Sequence, residues 1–176
     1  GSRQQEVDRH WPIFLDTVKL LRKKIINLQV IIGKSSNIEL WDCPEDFRIE
    51  NNAKKAMIVG KAGLVSSGTA TLECAIEGLP IVVCYKLFSL SWVIAKVLVK
   101  VKHSSIINLI MNKQVVPELL QKNMKPKLIL NKLTELLDDR SEERKTMLAD
   151  YDKLRTLLGR PGVYNRIAEK ILNKTA

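Results

Sequence analysis

A turn of small residues between a strand pattern and a helix pattern carries the strongest chemical signal in this sequence. The letters SSGT at residues 66–69 follow AGLV and open the helical pattern TATLECAIEG. A turn that joins a strand to a helix presents free backbone N–H groups and the positive end of the helix dipole to an anion. Gly68 allows close approach of the backbone to a phosphate, and the hydroxyls of Ser67 and Thr69 are further donors. The segment therefore predicts a phosphate-binding turn.

Glu73 lies about one helical turn beyond this segment. At that distance its carboxylate is too close to the phosphates to pair with them, but it can accept hydrogen bonds from a pair of sugar hydroxyls. Turn and carboxylate together suit a nucleoside diphosphate with its ribose. The alternative is an ordinary capped helix with Glu73 on its solvated face, and the segment alone leaves both interpretations open.

Strands and helices alternate through the first half of the chain. LQVIIG, AGLVS and LPIVVCYK are predicted strands, while AKKAMIVGK and TATLECAIEG are predicted helices, the second ending at Gly78. A first helix is predicted to begin near Pro12, and residues 40–52 to contain a short strand and a loop. The alternation predicts an α/β fold, namely a Rossmann-like parallel sheet covered by helices on both faces.

The second half of the chain is predicted to be mostly helical. A break at GRPG divides a domain over residues 1–158 from a terminal helical segment over residues 159–176, which we expect to pack on another domain or on a partner subunit. The helices predicted from apolar periodicity are Ser89–Lys100, Val116–Lys122, Pro126–Leu137, Ser141–Leu158 and Val163–Lys174.

Charge and composition narrow the function classes. The 176 residues include 29 Lys and Arg against 19 Asp and Glu, a formal net charge of +10 that favours an anionic partner. Aromatic residues make up 5% and do not alternate with the basic ones, which argues against binding of single-stranded nucleic acid. The three cysteines form no C-x-x-C pair, as is typical of a reduced, cytosolic protein. No apolar run reaches the roughly 20 residues of a membrane-spanning helix.

The two histidines are interpreted without a catalytic role. His10 and His103 are far apart in the sequence, and no Asp or Cys cluster at ligand spacing accompanies them, so we expect no metal site. His10 is interpreted as a surface residue in a first helical turn.

A basic and apolar segment runs from Leu87 to Lys102, LFSLSWVIAKVLVKVK. The favoured interpretation is a helix whose apolar face joins the core while its lysines are solvated. The alternative is docking of this surface on an anionic bilayer.

Several linked motifs resemble the lipid-A-disaccharide synthases. They occur in order along nearly the whole chain: GSR-x-x-EV, SSGTATLE, GLPIVVCYK, W-x-x-AK-x-LVK, NLI, VVPELLQ and LLGRPGVYNRIAEKIL. The resemblance implies a GT-B-type glycosyltransferase with two Rossmann-like domains, the C-terminal one holding most of the nucleotide sugar. The implied enzyme is a hexosyltransferase that joins UDP-2,3-diacylglucosamine to 2,3-diacylglucosamine 1-phosphate, releasing UDP. It would be cytoplasmic and peripheral on the inner face of the inner membrane.

The resemblance also implies roles for single residues. Arg3 would be the catalytic residue, because a permanent cation at the diphosphate can stabilise the charge that develops on departing UDP. Asn108 would lie near the diphosphate or the donor sugar, and Gln121 would reach sugar hydroxyls. Plain helix surface is the slightly favoured alternative for Glu118 and Gln121. The remaining implied contacts are phosphate binding by Ser67, Gly68 and Thr69, ribose binding by Glu73, and a donor-sugar or loop role for Glu118.

The chain corresponds to the C-terminal half of such an enzyme. We therefore expect it to be inactive alone, with the first, central strand of its sheet and the catalytic base outside it. The implied partners are the UDP-sugar, the acylated acceptor, an anionic membrane and the missing N-terminal domain, with a homo-oligomer left open. No cofactor or metal is expected. The alternatives are a non-catalytic basic module that binds membrane or nucleic acid, and a different UDP-sugar enzyme such as another GT-B transferase or an epimerase.

Overall fold

The computed structural model describes residues 3–66, 68–86 and 103–159 of the chain. The predicted helices at Ser89–Lys100 and Val163–Lys174, and the boundary proposed after residue 158, concern residues largely outside these ranges. In chain order the described helices and strands are α1 (Gln4–Arg22), β1 (Ile31–Gly33), β2 (Arg48–Glu50), α2 (Ala53–Val59), β3 (Gly63–Ser66), α3 (Thr69–Glu77), β4 (Ile81–Tyr85), α4 (Ile106–Met111), β5 (Glu118–Leu120), a 3-10 turn (Gln121–Asn123), α5 (Pro126–Leu137) and α6 (Glu142–Leu158).

The described strands form two parallel sheets. β1 pairs with β2, and β3, β4 and β5 form a three-stranded sheet in that order, with every pairing parallel. This confirms the predicted α/β architecture. Within the described ranges, β1 pairs only with β2, and β3 pairs only with β4.

β4 is the centre of the larger core. Its residues Ile81 to Cys84 are each 0% exposed, because α3 packs against the strand together with α5. Buried side chains of α6, including Tyr151 and Leu154, complete the same cluster. Burial of a strand on both faces requires a continuous apolar run, which explains the sequence IVVC.

Helix α1 differs from its prediction at the amino-terminal end. It begins at Gln4 and not near Pro12, which lies inside the helix. The earlier start follows from tertiary contacts, since Trp11 and Leu15 are buried in a second cluster with Phe47. The free energy gained by this packing outweighs the loss of the one helical hydrogen bond that proline, lacking an N–H, cannot form.

Two segments of the second half also differ from prediction. Residues 116–122 were predicted as a helix, but they contain β5 and the beginning of the 3-10 turn. The strand forms because its backbone pairs with β4, with the N–H of Val83 donating to the carbonyl of Pro117 at 2.9 Å. The family resemblance implies a loop around Asn108, but residues 106–111 form the short helix α4.

The other described helices agree with their predictions. α3 ends at Gly78, which has the left-handed φ of 81° that favours glycine at a helix end. α5 begins with Pro126, and Ser141 caps α6 by accepting the N–H of Arg144 at 3.1 Å. Among the helices of the described ranges, none is long and apolar enough to cross a membrane.

Candidate functional site

The carboxyl ends of β3, β4 and β5 meet at one edge of the larger sheet. The strands are parallel, with Ser66 opposite Cys84 and Tyr85 opposite Leu120. The residues that follow each strand therefore lie along the same edge. Such an edge is where open α/β sheets bind their ligands. It brings together three of the predicted site residues, namely Gly68, Thr69 and Gln121.

The turn after β3 is open and preorganised. Gly68 has φ 152°, a conformation that favours glycine, and a Cβ built there would meet nothing within 4 Å. Its carbonyl accepts both the N–H and the hydroxyl of Thr71, at 3.2 and 2.7 Å. Helix geometry leaves the first N–H groups of α3 without acceptors inside the helix. Gly68 and Thr69 are exposed, so this helix end can receive an anion, whereas Ser67 lies outside the described residues.

Glu73 lies on the exposed surface of α3, one turn from the open end of the helix. Its carboxylate makes no hydrogen bond or ion pair within the described ranges. A carboxylate at this place can accept hydrogen bonds from two ligand hydroxyls. The same exposure is expected of a residue on a solvated helix face, so both interpretations of Glu73 stay open. Binding experiments can separate these interpretations, and one is described below.

Arg3 reaches the same edge from the amino-terminal end of α1. Its side chain is 79% exposed, and Nη1 lies 3.3 Å from Oε1 of Glu6. The hydroxyl of Tyr85, the last residue of β4, donates to the same carboxylate oxygen at 3.4 Å. Burial, followed by the Glu6 charge, raises the pKa of Tyr85, so the phenol stays a donor at neutral pH. Glu6 thus connects the guanidinium to the end of β4.

The structure corrects the interpretation of His10 as a surface residue. The side chain is 2% exposed and fills the space between α1 and the ends of β3 and β4. Nε2 accepts the backbone N–H of Lys86 at 3.0 Å, and Nδ1 lies 2.9 Å from Oγ of Ser66. Burial lowers the pKa of His10 to about 4, so the ring is neutral near pH 7. It is buried because α1 begins two turns earlier than predicted and docks on the strand ends.

Asn108 lies behind the edge and is fully buried. Its Oδ1 accepts the N–H groups of Val115 and Val116 at 2.7 and 2.9 Å. Its Nδ2 donates to the carbonyl of Val116 at 2.9 Å and to Glu118 at 2.8 Å. The amide therefore holds the segment that leads into β5.

Glu118 lies in β5, not on the helix surface that the sequence suggested. Its carboxylate accepts the N–H groups of Ser104 and Ser105 at 2.9 Å each and the hydroxyl of Ser104 at 2.8 Å, in addition to Asn108. Burial alone would raise the pKa of Glu118, but these hydrogen bonds outweigh it and lower the pKa. The ionised carboxylate thus fixes the loop before α4.

Gln121 follows β5 at the edge and has two unusual features. Its backbone φ is 49°, a left-handed conformation that is costly for a residue with a side chain. Its side-chain nitrogen is buried and has no hydrogen-bond partner among the residues that the structure describes. A strained residue with an unused donor is typical of a ligand-binding position.

Sequence reasoning missed His10, Tyr85 and Lys86. One signal was available for the first of them: Glu6 and His10 are spaced at i and i+4, so they share one helix face directly after Arg3. The strand-end residues carried no signal beyond their position. Within the described ranges, no group of three or more His, Cys, Asp or Glu side chains could hold a metal ion.

Comparisons with known proteins agree on one family. A family model described as lipid-A-disaccharide synthetase matches residues 1–173. A lipid-A-disaccharide synthase of Rickettsia prowazekii (strain Madrid E) is 34% identical over 171 residues, covering 90% of this chain and 44% of that protein. One of Syntrophus aciditrophicus (strain SB) is 33% identical over 177 residues, covering 96% of this chain and 46% of that protein. The chain thus spans just under half the length of these curated relatives.

Proposed function

This chain belongs to the lipid-A-disaccharide synthetase family, and on that premise we propose that it is the donor-binding half of an inverting hexosyltransferase. The proposed enzyme transfers 2,3-diacylglucosamine from its UDP derivative to 2,3-diacylglucosamine 1-phosphate, giving the lipid A disaccharide and UDP. The observation that carries the assignment to this half is the edge itself, where the open end of α3 faces the ends of three parallel strands.

The diphosphate would lie at the amino-terminal end of α3. There the unpaired N–H groups and the helix dipole favour negative charge, and Thr69 would add a hydroxyl donor, as would Ser67 according to the family resemblance. Glu73 would accept the two ribose hydroxyls from its exposed position one turn further. Gln121 would donate its buried, unused amide N–H to a hydroxyl of the donor sugar.

The reaction would be a single displacement at the anomeric carbon. A base outside this chain would activate the acceptor's 6-hydroxyl, while Arg3 and the α3 end stabilise the charge on departing UDP. The exposed guanidinium of Arg3 is close enough to Glu6 to be preoriented and is free to bind the diphosphate. These groups would neutralise the negative charge on departing UDP without a metal ion or another cofactor.

Asn108 and Glu118 would support the donor site indirectly. Every polar atom of the Asn108 side chain is used inside the protein, and Glu118 is surrounded by four donor groups. We therefore propose that this pair shapes the loop before α4 and the start of β5, from which Gln121 follows.

Calorimetric titration of this chain tests the phosphate site. UDP should bind more tightly than uridine by at least about tenfold, because charge-assisted hydrogen bonds to the diphosphate are lost with uridine. Equal affinity for the two ligands would remove the phosphate-site assignment.

Glu73→Ala tests the ribose contact in the same titration. We expect UDP binding to weaken by about 1–3 kcal/mol, since the carboxylate accepts charge-assisted bonds, while the melting temperature changes little. Glu77→Ala is a matched control on the same helix, because Glu77 pairs with Lys54 away from the open end. A loss of stability with unchanged affinity would assign Glu73 a structural role.

We further propose an anionic membrane as a partner of the whole enzyme, at the inner face of the inner membrane. The segment that the sequence suggested for this, residues 87–102, lies outside the described residues. A second basic surface supports the proposal: a groove of about 760 Å³ lined by Lys19, Lys23, Lys125 and Lys127 together with Leu20 and Leu128. Ile26, three residues after Lys23, is 95% exposed. Exposed aliphatic side chains among lysines suit a lipid interface.

Vesicle co-sedimentation measures this contact. The chain should bind vesicles that contain anionic lipid, and the double variant K23E/K127E should bind them at least about fivefold less. Binding that is unchanged by these substitutions would exclude the groove.

A further inference from the structure

We propose that His10 is a positioning residue that fixes the distance between Arg3 and the phosphate-binding turn, so that both contact the same diphosphate. The inference rests on the proposed function, since it names a residue that would organise the same donor site.

The hydrogen bonds of His10 define its tautomer. The backbone N–H of Lys86 can only donate, so Nε2 of the imidazole is the acceptor of that bond, at 3.0 Å. In the neutral ring Nδ1 then carries the proton and donates it to Oγ of Ser66, at 2.9 Å. One buried side chain therefore ties the end of β3 to the end of β4 through two directed bonds.

Helix α1 connects this anchor to Arg3. Glu6 and His10 lie on one face of the helix, and Arg3 is the residue that directly precedes its first turn. Glu6 makes a second contact with the end of β4 through Tyr85. A rigid helix held at two points on its strand-facing side fixes its own start, and with it the backbone next to Arg3, relative to Ser66 and the turn that follows.

The bond from His10 also defines what Ser66 can do. Because Oγ of Ser66 accepts the Nδ1 proton, the serine keeps its own hydroxyl proton for another acceptor. Ser66 directly precedes the turn, so a phosphate oxygen at the turn is the acceptor that this geometry favours. Within the SSGT turn that the sequence indicated, Ser66 is thereby a further donor of the anion site.

His10 would not act as an acid or a base in this arrangement. Both ring nitrogens are occupied by hydrogen bonds inside the protein, and the side chain is 2% exposed. A group with no free nitrogen can orient its neighbours but cannot exchange protons with a substrate.

Two substitutions at position 10 test the inference. His10→Leu keeps the apolar volume and removes both bonds, while His10→Gln offers a side-chain donor and acceptor that can replace them. In calorimetric titrations, His10→Leu should weaken UDP binding by about five- to tenfold and leave uridine binding unchanged, because the lost contacts are to phosphate. His10→Gln should retain UDP affinity within about twofold of the wild type.

Leu15→Ala is the matched control. Leu15 is buried in the same helix, but it packs in the cluster with Trp11 and Phe47. Its truncation should lower stability without a loss of phosphate selectivity in the folded protein, as checked by circular dichroism at the titration temperature.

The outcomes separate this inference from the proposed function. A wild type that binds UDP no better than uridine would overturn the proposed phosphate site and, with it, the role of His10. A wild type that prefers UDP, together with a His10→Leu variant of equal selectivity, would overturn the positioning role alone. The positioning role would also be overturned if Leu15→Ala lost the preference for UDP over uridine to the same degree as His10→Leu. A His10→Gln variant that did not retain this preference would overturn it as well.

Discussion

Replacing Asn108 by alanine should lower the free energy of unfolding by about 3–4 kcal/mol, one of the largest effects that we expect of a single polar substitution here. The amide makes four hydrogen bonds with groups of Val115, Val116 and Glu118. Alanine leaves two backbone N–H groups and one carbonyl without partners in a fully buried place. Each such group loses its hydrogen bond without regaining water. Urea unfolding followed by circular dichroism measures the loss.

Two further variants show whether the hydrogen bonds cause this effect. Asn131→Ala makes the same chemical change at an exposed position of α5, and it should alter stability by less than about 0.5 kcal/mol. Asn108→Asp keeps the acceptor oxygen but replaces the donor by a second carboxylate group beside Glu118, so it should also destabilise at neutral pH. An Asn108→Ala variant as stable as Asn131→Ala would show that water replaces the amide without cost.

The Asn108 variants also bear on how the donor site is organised. If the amide acts only by shaping the segment before β5, then a folded Asn108→Ala protein should lose UDP-sugar affinity together with order in residues 104–118. A direct contact with the donor would lower affinity even where those residues keep their native structure. Hydrogen exchange of the Glu118 strand distinguishes the two.

The turn and the central strand could be predicted from sequence because their requirements are local. A glycine with positive φ at residue 68, a helix that begins at Thr69 and the run IVVC each depend mainly on their own local sequence. β5 could not be predicted in this way. Its letters ELL are good helix formers, and they form a strand only because β4 offers an unpaired backbone edge. A preference of a few tenths of a kcal/mol per residue does not outweigh that pairing.

For the candidate site, sequence reasoning could predict the local backbone but not the contacts that depend on tertiary packing. Gly68 and Thr69 follow from the geometry of a strand-to-helix turn. The hydrogen-bond partners of His10 lie 56 and 76 positions away in the sequence. Those of Glu118 lie in the loop before α4. These contacts form only when α1 and β5 pack against β4, so they cannot be predicted from the local sequence.

The second large effect that we expect is the absence of turnover by this chain alone. Supplied with UDP-2,3-diacylglucosamine and its acceptor in detergent, the protein should form no disaccharide above a buffer control, as measured by mass spectrometry. Transfer requires the acceptor hydroxyl, a base and the anomeric carbon at near-attack distance, and losing that arrangement removes many powers of ten in rate. In the proposed function this edge binds the nucleoside diphosphate, while the acceptor site and the base belong to the other half of the enzyme. UDP binding by the same preparation is the control that its donor site is folded.

Joining the chain to the amino-terminal half of a relative, such as the Rickettsia prowazekii protein, should supply the missing groups and restore turnover. In that hybrid, Arg3→Ala should lower kcat by about a hundredfold and raise KM much less, because the charge that the guanidinium meets is largest in the transition state. Arg140→Ala is the control, since Arg140 is exposed and far in sequence from the edge. A KM effect alone would make Arg3 a residue of ground-state binding. Turnover by the 176-residue chain without the added half would place acceptor site and base within it, and the division of labour between the halves would be wrong.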